Sequence, residues 1–172
     1  MVFTPASAAD IAQLGEFLRD ADLTLAGLDD ESVRLWVDRD ADGTVVGSTG
    51  YECSRDGRDV LVRSVAVAAD RRSAGAGTQL AQFALDRAAD EGAERAWLFS
   101  GRSGPFWQGL GFVPADRQAL VAALPETQQV RLFLTTGQLD REVAWTRPLG
   151  GGLPDAPARA QRADRNRARS RS

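Results

Sequence analysis

Strand-like and helix-like patterns alternate along most of the chain, and this alternation limits the folds that it can adopt. Residues 32–70 predict a meander of three antiparallel strands, because apolar stretches are separated by the turn sequences DADG and RDGR. Apolar residues at helical spacing predict helices before and after the meander, over residues 11–21 and 77–91. The predicted order is β-α-βββ-α-β-α-β, then a helical segment and a last strand, which indicates an α/β (α+β) domain.

Capping signals support two of these helices. Ser7 followed by Asp10 predicts a capping box before the first helix. Gly92 is placed to end the helix that follows the meander. The signals agree with the apolar periodicity and fix the approximate bounds of both helices.

The C-terminal residues differ from the rest of the chain in composition. Little apolar material follows residue 149, so we expect one domain over residues 1–149 and a disordered Arg-rich tail over residues 150–172. Residues 151–172 contain six arginines and two aspartates, a charge of +4. Because the whole chain carries −3, residues 1–150 carry −7.

The charge and hydropathy patterns exclude several partners. An acidic body argues against nucleic acid as the main partner, and a nucleic-acid-binding tail is the minority alternative. The sequence has no apolar run of about 18 residues and no pattern typical of a signal peptide. We therefore expect a cytoplasmic protein that has no membrane partner.

The residue types that the chain lacks restrict its chemistry. It has no histidine, and all 21 basic residues are arginine. Without histidine there is no Ser-His or Cys-His nucleophile pair, and without lysine there is no Schiff base or P-loop phosphate grip. Cys53 is the single cysteine, which excludes an internal disulfide. We expect no metal site, and acid–base chemistry must use carboxylates, Tyr51, Cys53, hydroxyls or water.

The segment RRSAGAGTQL, residues 71–80, joins the third meander strand to the next helix. Small residues at a helix start let an anion approach the unpaired amides of the first turn. A P-loop would need lysine here, and a dinucleotide fingerprint would need glycine where Leu80 stands. Two interpretations stay open, a simple turn and a different kind of phosphate cradle.

Two segments resemble the GNAT superfamily of acyl-CoA N-acyltransferases. RSAGAG, residues 72–77, is similar to the family's Q/R-x-x-G-x-G/A signature, and FWQGLGF, residues 106–112, is similar to its F-Y-x-x-x-G-F segment. The resemblance implies a mixed, twisted sheet of six or seven strands flanked by helices. It also implies that this sheet is splayed between the strand ending near Val67 and the strand ending near Ser100.

The resemblance implies acetyl-CoA as the cosubstrate. Its pantetheine arm would lie in the splay against backbone of the third meander strand, and amides at the helix start would hold its pyrophosphate. The cofactor-binding residues implied in this way are Val65, Ala66, Val67, Arg72, Ser73, Ala74, Gly75, Ala76, Gly77, Thr78 and Trp107.

The resemblance also implies direct attack of an amine on the thioester, with a strand amide near Val65 or Ala66 stabilising the oxyanion. Glu52 is the candidate base, and a solvent-facing carboxylate is the alternative interpretation of this residue. Arg63 is the candidate substrate-binding residue, and an ion pair with Glu52 is its alternative.

Three positions depart from the family pattern. Ser73 replaces a common glycine, Ser100 replaces a common asparagine, and Trp107 replaces the tyrosine that protonates the departing thiolate in many members. Because an indole N–H is not an acid, protonation falls to water or to a hydroxyl such as Ser100 or Ser103.

Within the superfamily, residues 61–77 and 106–129 look most like N-acetyltransferases associated with arsenic resistance. That likeness implies a small amine or amino-acid-like acceptor, in a monomer or a homodimer. The absent phenol keeps a second class open, a non-catalytic acyl-CoA-binding module.

Overall fold

The structure is a computed structural model that describes residues 2–72 and 75–150. The predicted tail lies outside the described residues except for Gly150, and so do Met1, Ser73 and Ala74.

The described residues form seven strands and five α-helices in the predicted order. The strands are β1 Thr4–Pro5, β2 Val33–Arg39, β3 Val45–Cys53, β4 Asp59–Val67, β5 Arg95–Phe99, β6 Val113–Ala115 and β7 Ala144–Pro148. The α-helices are α1 Ile11–Asp20, α2 Ala76–Asp90, α3 Gly104–Gly109, α4 Arg117–Ala123 and α5 Gln128–Thr136. The predicted helical segment near the C-terminal end is thus two helices, α4 and α5.

All seven strands form one sheet in the order β1-β2-β3-β4-β5-β7-β6. The pair β4 and β5 is parallel, and the other neighbouring pairs described are antiparallel. The helix α2 makes the crossover that a parallel pair needs. The predicted mixed sheet of six or seven strands is confirmed.

Both faces of the sheet are covered, which explains why most residues of β4 are apolar. On one face α2 packs on Val60 and Val62 through Ala81, Ala84 and Leu85. On the other face α1 contributes one cluster, and α4 and α5 contribute a second one around Leu61 and Trp97. Alternate residues of β4 therefore belong to different cores.

The predicted start of the first helix is confirmed. The backbone N–H of Ser7 donates to Asp10 Oδ2 at 2.7 Å, and the Ser7 hydroxyl donates to the same oxygen at 3.0 Å. A short 3-10 turn, Ala8–Asp10, leads into α1. Gly92, with φ +99°, follows the end of α2 as predicted. None of the helices in the described ranges is long and apolar enough to cross a membrane.

Candidate active site

The parallel strands β4 and β5 separate after a short contact. They pair only from Asp59 to Leu61 on β4 and from Arg95 to Trp97 on β5. Beyond this contact a cleft of about 180 Å³ opens, which we call the splay cleft. The β4 backbone facing it has no ladder partner on the β5 side, so its polar groups are available to an extended ligand. The predicted splay of the sheet is confirmed.

A β-bulge shapes the β4 side of the splay cleft. Ser48 of β3 pairs with Ala66, whereas Gly50 pairs with Arg63, so Ser64 and Val65 together stand opposite a single residue of β3. Ser64 has φ +60°, in the left-handed region. A bulge leaves its extra residue outside the ladder and bends the strand. The oxyanion role of an amide near Val65 or Ala66 stays a prediction.

Buried hydroxyls hold the bulge and the neighbouring helix in place. The Ser48 hydroxyl donates to the Ser64 carbonyl at 2.6 Å. The Thr49 hydroxyl donates to the Leu80 carbonyl of α2 at 2.8 Å. Ser48 and Thr49 are fully buried. These two buried hydrogen bonds therefore stabilise the bulge and fix its position relative to α2.

The helix α2 begins at the edge of the splay cleft. Gly75 is its N-cap residue with φ +74°, a conformation that glycine adopts without strain. Gly77 lines the cleft, and a Cβ at this position would lie 3.7 Å from the Phe106 ring. The first-turn amides of α2 have no intrahelical partners and lie at the positive end of the helix dipole, which suits an anion. Arg72 lies close by, because its Nε donates to the Val67 carbonyl at 3.2 Å.

Aromatic residues of α3 form another wall of the splay cleft. Trp107 lines the cleft but is 7% exposed, and its ring packs edge-on against Phe106 and Phe112 at centroid distances of 4.9 and 5.4 Å. The chain's single tyrosine, Tyr51, is fully buried in the core beside Trp36, where burial raises its pKa. The splay cleft therefore has no phenol in its wall.

Ser100 lies where β5 ends at the splay cleft. Its backbone N–H donates to the Val143 carbonyl at 2.9 Å, and its carbonyl accepts from the Trp145 indole at 2.8 Å. Its hydroxyl oxygen accepts the Ser103 N–H at 3.1 Å. The hydroxyl proton is still free to be donated, because the oxygen acts there as an acceptor.

Glu52 and Arg63 form a buried ion pair beside the splay cleft. Arg63 Nη1 donates to Glu52 Oε2 at 3.1 Å, and the two side chains are 0% and 1% exposed respectively. Arg63 Nε also donates to the Ser64 hydroxyl at 3.2 Å. Burial lowers the pKa of Arg63, and the Glu52 charge opposes that shift. The interpretation of Glu52 as a solvent-facing carboxylate is wrong, because its side chain is buried. The ion pair between Arg63 and Glu52, which the sequence offered as the alternative for Arg63, is confirmed.

Glu52 also accepts hydrogen bonds from the first turn of α5. The Gln128 N–H donates to Oε1 at 2.6 Å, and the Gln129 N–H donates to Oε2 at 3.3 Å. Both carboxylate oxygens are therefore occupied by protein donors, an arrangement that gives Glu52 a structural role at a helix N-terminus. Its assignment as the base stays a prediction, as does substrate binding by Arg63.

A second and larger cleft adjoins the first. Its volume is about 530 Å³, and we call it the outer cleft. Its wall is formed by the α1–β2 loop, the end of β5, α5 and the turn that follows α5. Thr24, Ser100 and Gln129 are among the residues that line both clefts, so the two spaces border on one another. Gln129 is the last residue of the segment 106–129 discussed above, but the sequence gives this position no role of its own.

The described geometry combines a cleft between two separated parallel strands with a glycine-led helix start at its edge. Residues 7–112 match the family model described as the acetyltransferase (GNAT) family. The chain belongs to the GNAT acetyltransferase family. No curated protein sequence gives a significant match.

Solved structures share the fold at low sequence identity. Rv2747 from Mycobacterium tuberculosis, in complex with CoA and NLQ, matches with a TM-score of 0.67 and 17% identity over 87% of this chain and 99% of that one. Tetrahymena GCN5 matches with a TM-score of 0.68 and 13% identity over 89% and 99%.

N-acetylglutamate synthase from Neisseria gonorrhoeae, complexed with coenzyme A and N-acetyl-glutamate, matches with a TM-score of 0.66 and 17% identity. The match covers 86% of this chain but spans only 35% of the synthase chain. At these identities the likeness shows the fold alone. None of these matches supports the expected arsenic-resistance subgroup.

Proposed function

We propose that the protein is an acetyltransferase that moves an acetyl group from acetyl-CoA to the amine of a small molecule. The observation that carries this proposal is the splay cleft, which leads from the open backbone edge of β4 to the glycine-led start of α2. A strand edge suits the amide groups of pantetheine, and a helix N-terminus suits a pyrophosphate.

The cosubstrate would lie along one continuous stretch of chain. Backbone groups of Val65 and Val67 would bond the pantetheine arm, as an added strand does at an open sheet edge. Amides from Gly75 to Thr78 would bind the pyrophosphate, and Arg72 adds a charge-assisted bond to it. Trp107 and Phe106 would pack against the arm on the α3 side of the cleft.

The reaction would proceed by direct attack in a ternary complex. The amine lone pair forms the new N–C bond with the thioester carbonyl, and the amide near the β4 bulge stabilises the oxyanion. Collapse of this intermediate breaks the C–S bond and releases the CoA thiolate, and the cationic nitrogen loses its extra proton to water of the outer cleft. Ser100 would donate a hydrogen bond to the departing sulfur, and water would supply its proton.

Loss of the amine proton needs a separate explanation, because both oxygens of Glu52 are occupied by Arg63 and by the start of α5. In this proposal Glu52 positions α5, and the amine reaches the thioester in its neutral form from the solvent-connected outer cleft. Catalysis then rests mainly on positioning two reactants together.

A small acceptor is supported by two observations. The outer cleft has a volume of about 530 Å³, which is the size of a small-molecule site. The net charge of −7 over residues 1–150 favours the approach of a cationic amine. The structures of Rv2747 and of N-acetylglutamate synthase, each with CoA and a second small molecule, are consistent with such an acceptor.

A non-catalytic acyl-CoA-binding module is the second candidate function. The observation that favours it is the position of Tyr51, which is buried in the core and leaves the splay cleft without a phenol.

Titration calorimetry with acetyl-CoA, together with thiol release over a panel of amines, separates the candidates. The acetyltransferase binds acetyl-CoA and releases CoA only when an accepted amine is present. Binding without release for any amine would favour the module, and absence of binding would overturn both.

A further inference from the structure

The wall of the outer cleft contains three exposed leucines. Leu23 and Leu25 belong to the α1–β2 loop and Leu132 belongs to α5, and each of them is 36% exposed. A leucine side chain is stabilised when it is removed from water. Single exposed apolar residues are ordinary, whereas several that come from separate elements and line one cleft are typical of a binding site.

The two elements that carry these leucines are held in place by buried polar contacts. The Arg63 guanidinium contacts the Thr24 carbonyl, between the two loop leucines, at 3.5 Å. Its ion-pair partner Glu52 accepts the Gln128 N–H at the start of α5 at 2.6 Å. The spacing between the loop and α5 is therefore fixed without contacts among the leucines, so their exposed surface is available to a ligand.

The apolar surface continues from the outer cleft to the splay cleft. Leu23 and Phe99 line both clefts. The Phe99 ring packs edge-on against Phe133 of α5 at a centroid distance of 5.1 Å. A chain attached to an amine at the end of β5 would thus find apolar side chains along its way to Leu25 and Leu132.

We propose that the outer cleft selects acceptors whose amine carries an apolar chain, and that Leu25 and Leu132 determine this specificity. The inference rests on the acetyltransferase function proposed above. The amine of such an acceptor lies at the splay cleft, and its hydrocarbon chain covers the exposed leucines. A small amine with a polar chain would leave these side chains in water and gain no burial from them.

The test measures kcat/KM of the parent protein for primary alkylamines from ethylamine to hexylamine, calculated per neutral amine. We expect kcat/KM to rise by about fourfold for each CH₂ that the leucines cover. The amine 2-(2-aminoethoxy)ethanol matches hexylamine in its number of heavy atoms but has a polar chain. Its kcat/KM should stay near that of ethylamine.

Variants assign the preference to particular leucines. Leu25→Gln and Leu132→Gln each exchange an exposed apolar side chain for a polar one of similar length, so the fold should be kept. Each should lower the preference for hexylamine over ethylamine by about tenfold. The Kd for acetyl-CoA should not change, because neither residue lines the splay cleft. Leu134→Gln is the matched control, since Leu134 is a 51% exposed residue of α5 that lines neither cleft.

Equal kcat/KM for ethylamine and hexylamine in the parent, or an unchanged preference in both cleft variants, would overturn this inference while leaving the proposed function intact. If size-exclusion chromatography shows a dimer that Leu132→Gln dissociates, a second copy of the chain covers the leucines and the inference is wrong. If the parent binds acetyl-CoA but acetylates no amine, the proposed function fails, and the inference fails with it.

Discussion

The side chain at position 107 decides how the departing thiolate can be handled. Trp107 is part of the wall of the splay cleft, but it is also packed edge-on between Phe106 and Phe112. An indole contributes apolar surface and an N–H donor, and it supplies no proton for chemistry near neutral pH. The residue therefore shapes the cleft, and in the proposed reaction the departing sulfur would be served by Ser100 and water.

Trp107→Phe should retain acetyl transfer, because the smaller ring preserves an aromatic wall and removes no acid. The initial rate should rise with pH to a plateau set by deprotonation of the amine, with no alkaline fall, for the parent and for this variant. Trp107→Tyr should raise kcat, since a general acid contributes roughly 10²- to 10⁴-fold. A fall of the parent's initial rate at alkaline pH would show instead that an ionising group protonates the departing thiolate.

Gly77 tests the helix start as an anion site. Gly77→Asp adds a carboxylate where the first turn of α2 borders the splay cleft, so we expect acetyl-CoA binding to be lost in titration calorimetry. Gly109→Asp places the same group at an exposed position of α3 with open space around it, and it should bind as the parent does. If Gly77→Asp binds acetyl-CoA as tightly as Gly109→Asp does, the segment 71–80 is only a structural turn and does not bind the pyrophosphate.

At the scale of single elements, the helices differ from one another mainly in the contacts at their N-termini and much less in their apolar faces. The apolar stripes of α1 and α2 are ordinary, whereas the starts of α1, α2 and α5 each have a distinct local chemistry. Asp10 accepts a hydrogen bond from the Ser7 backbone at the start of α1, and Glu52 of β3 accepts one from the Gln128 backbone at the start of α5. The N-cap residue of α2, Gly75, provides no side-chain cap beside the splay cleft.

The cap of α1 makes stability depend on pH. The hydrogen bond from the Ser7 backbone, helped by contacts with the Ser7 hydroxyl and Arg39, holds the pKa of Asp10 below its ordinary value of 3.8. Because the folded pKa is lowered, this stabilisation is complete above pH 3.8 and is lost as the pH falls through the folded pKa.

We therefore expect Asp10→Asn to lower Tm by about 2 °C at pH 7, the shift expected for roughly 1 kcal/mol in a chain of this size. The difference between parent and variant should shrink as the pH falls below 3.8. Glu16→Gln removes a charge from an exposed position of the same helix and serves as the control. A difference that is constant from pH 7 to pH 2 would show that the Asp10 charge does not matter.

At the scale of the whole molecule, one ion pair connects parts that are distant in the chain. Glu52 on β3 and Arg63 on β4 together contact the first turn of α5, the β4 bulge and the α1–β2 loop. These contacts span up to 77 positions in sequence. The pair therefore holds the borders of both clefts at once.

Glu52→Gln should destabilise the fold, because it leaves the Arg63 charge buried without its partner. Breaking such a pair costs about 3–5 kcal/mol, whereas an exposed pair contributes less than about 1 kcal/mol. Glu91→Gln, which breaks the exposed contact with Arg34, is the matched control. Thermal unfolding of both variants checks this difference.

The double variant Glu52→Gln with Arg63→Met should regain part of the lost stability, since no unpaired charge is then left. If Glu52→Gln instead abolishes turnover with no change in Tm, the carboxylate acts as the catalytic base and its structural role is secondary.

The sequence predicts those features of the fold and of the site that depend on residues close together in the chain. The strands, the glycine-led start of α2 and the α3 segment were predicted from periodicity and from two short motifs. The contacts of Glu52 with α5 were not predictable, because the partners are backbone amides that any sequence supplies and only the tertiary fold brings them to β3.

The two adjoining clefts draw on different parts of the polypeptide. The splay cleft is lined by β4 and the start of α2 on one side and by the end of β5 and α3 on the other, whereas the α1–β2 loop, α5 and the turn that follows α5 border the outer cleft. If the outer cleft receives the acceptor, as proposed, exchanging side chains of α5 and of the turn after it should alter acceptor choice while β4 and α2 stay unchanged.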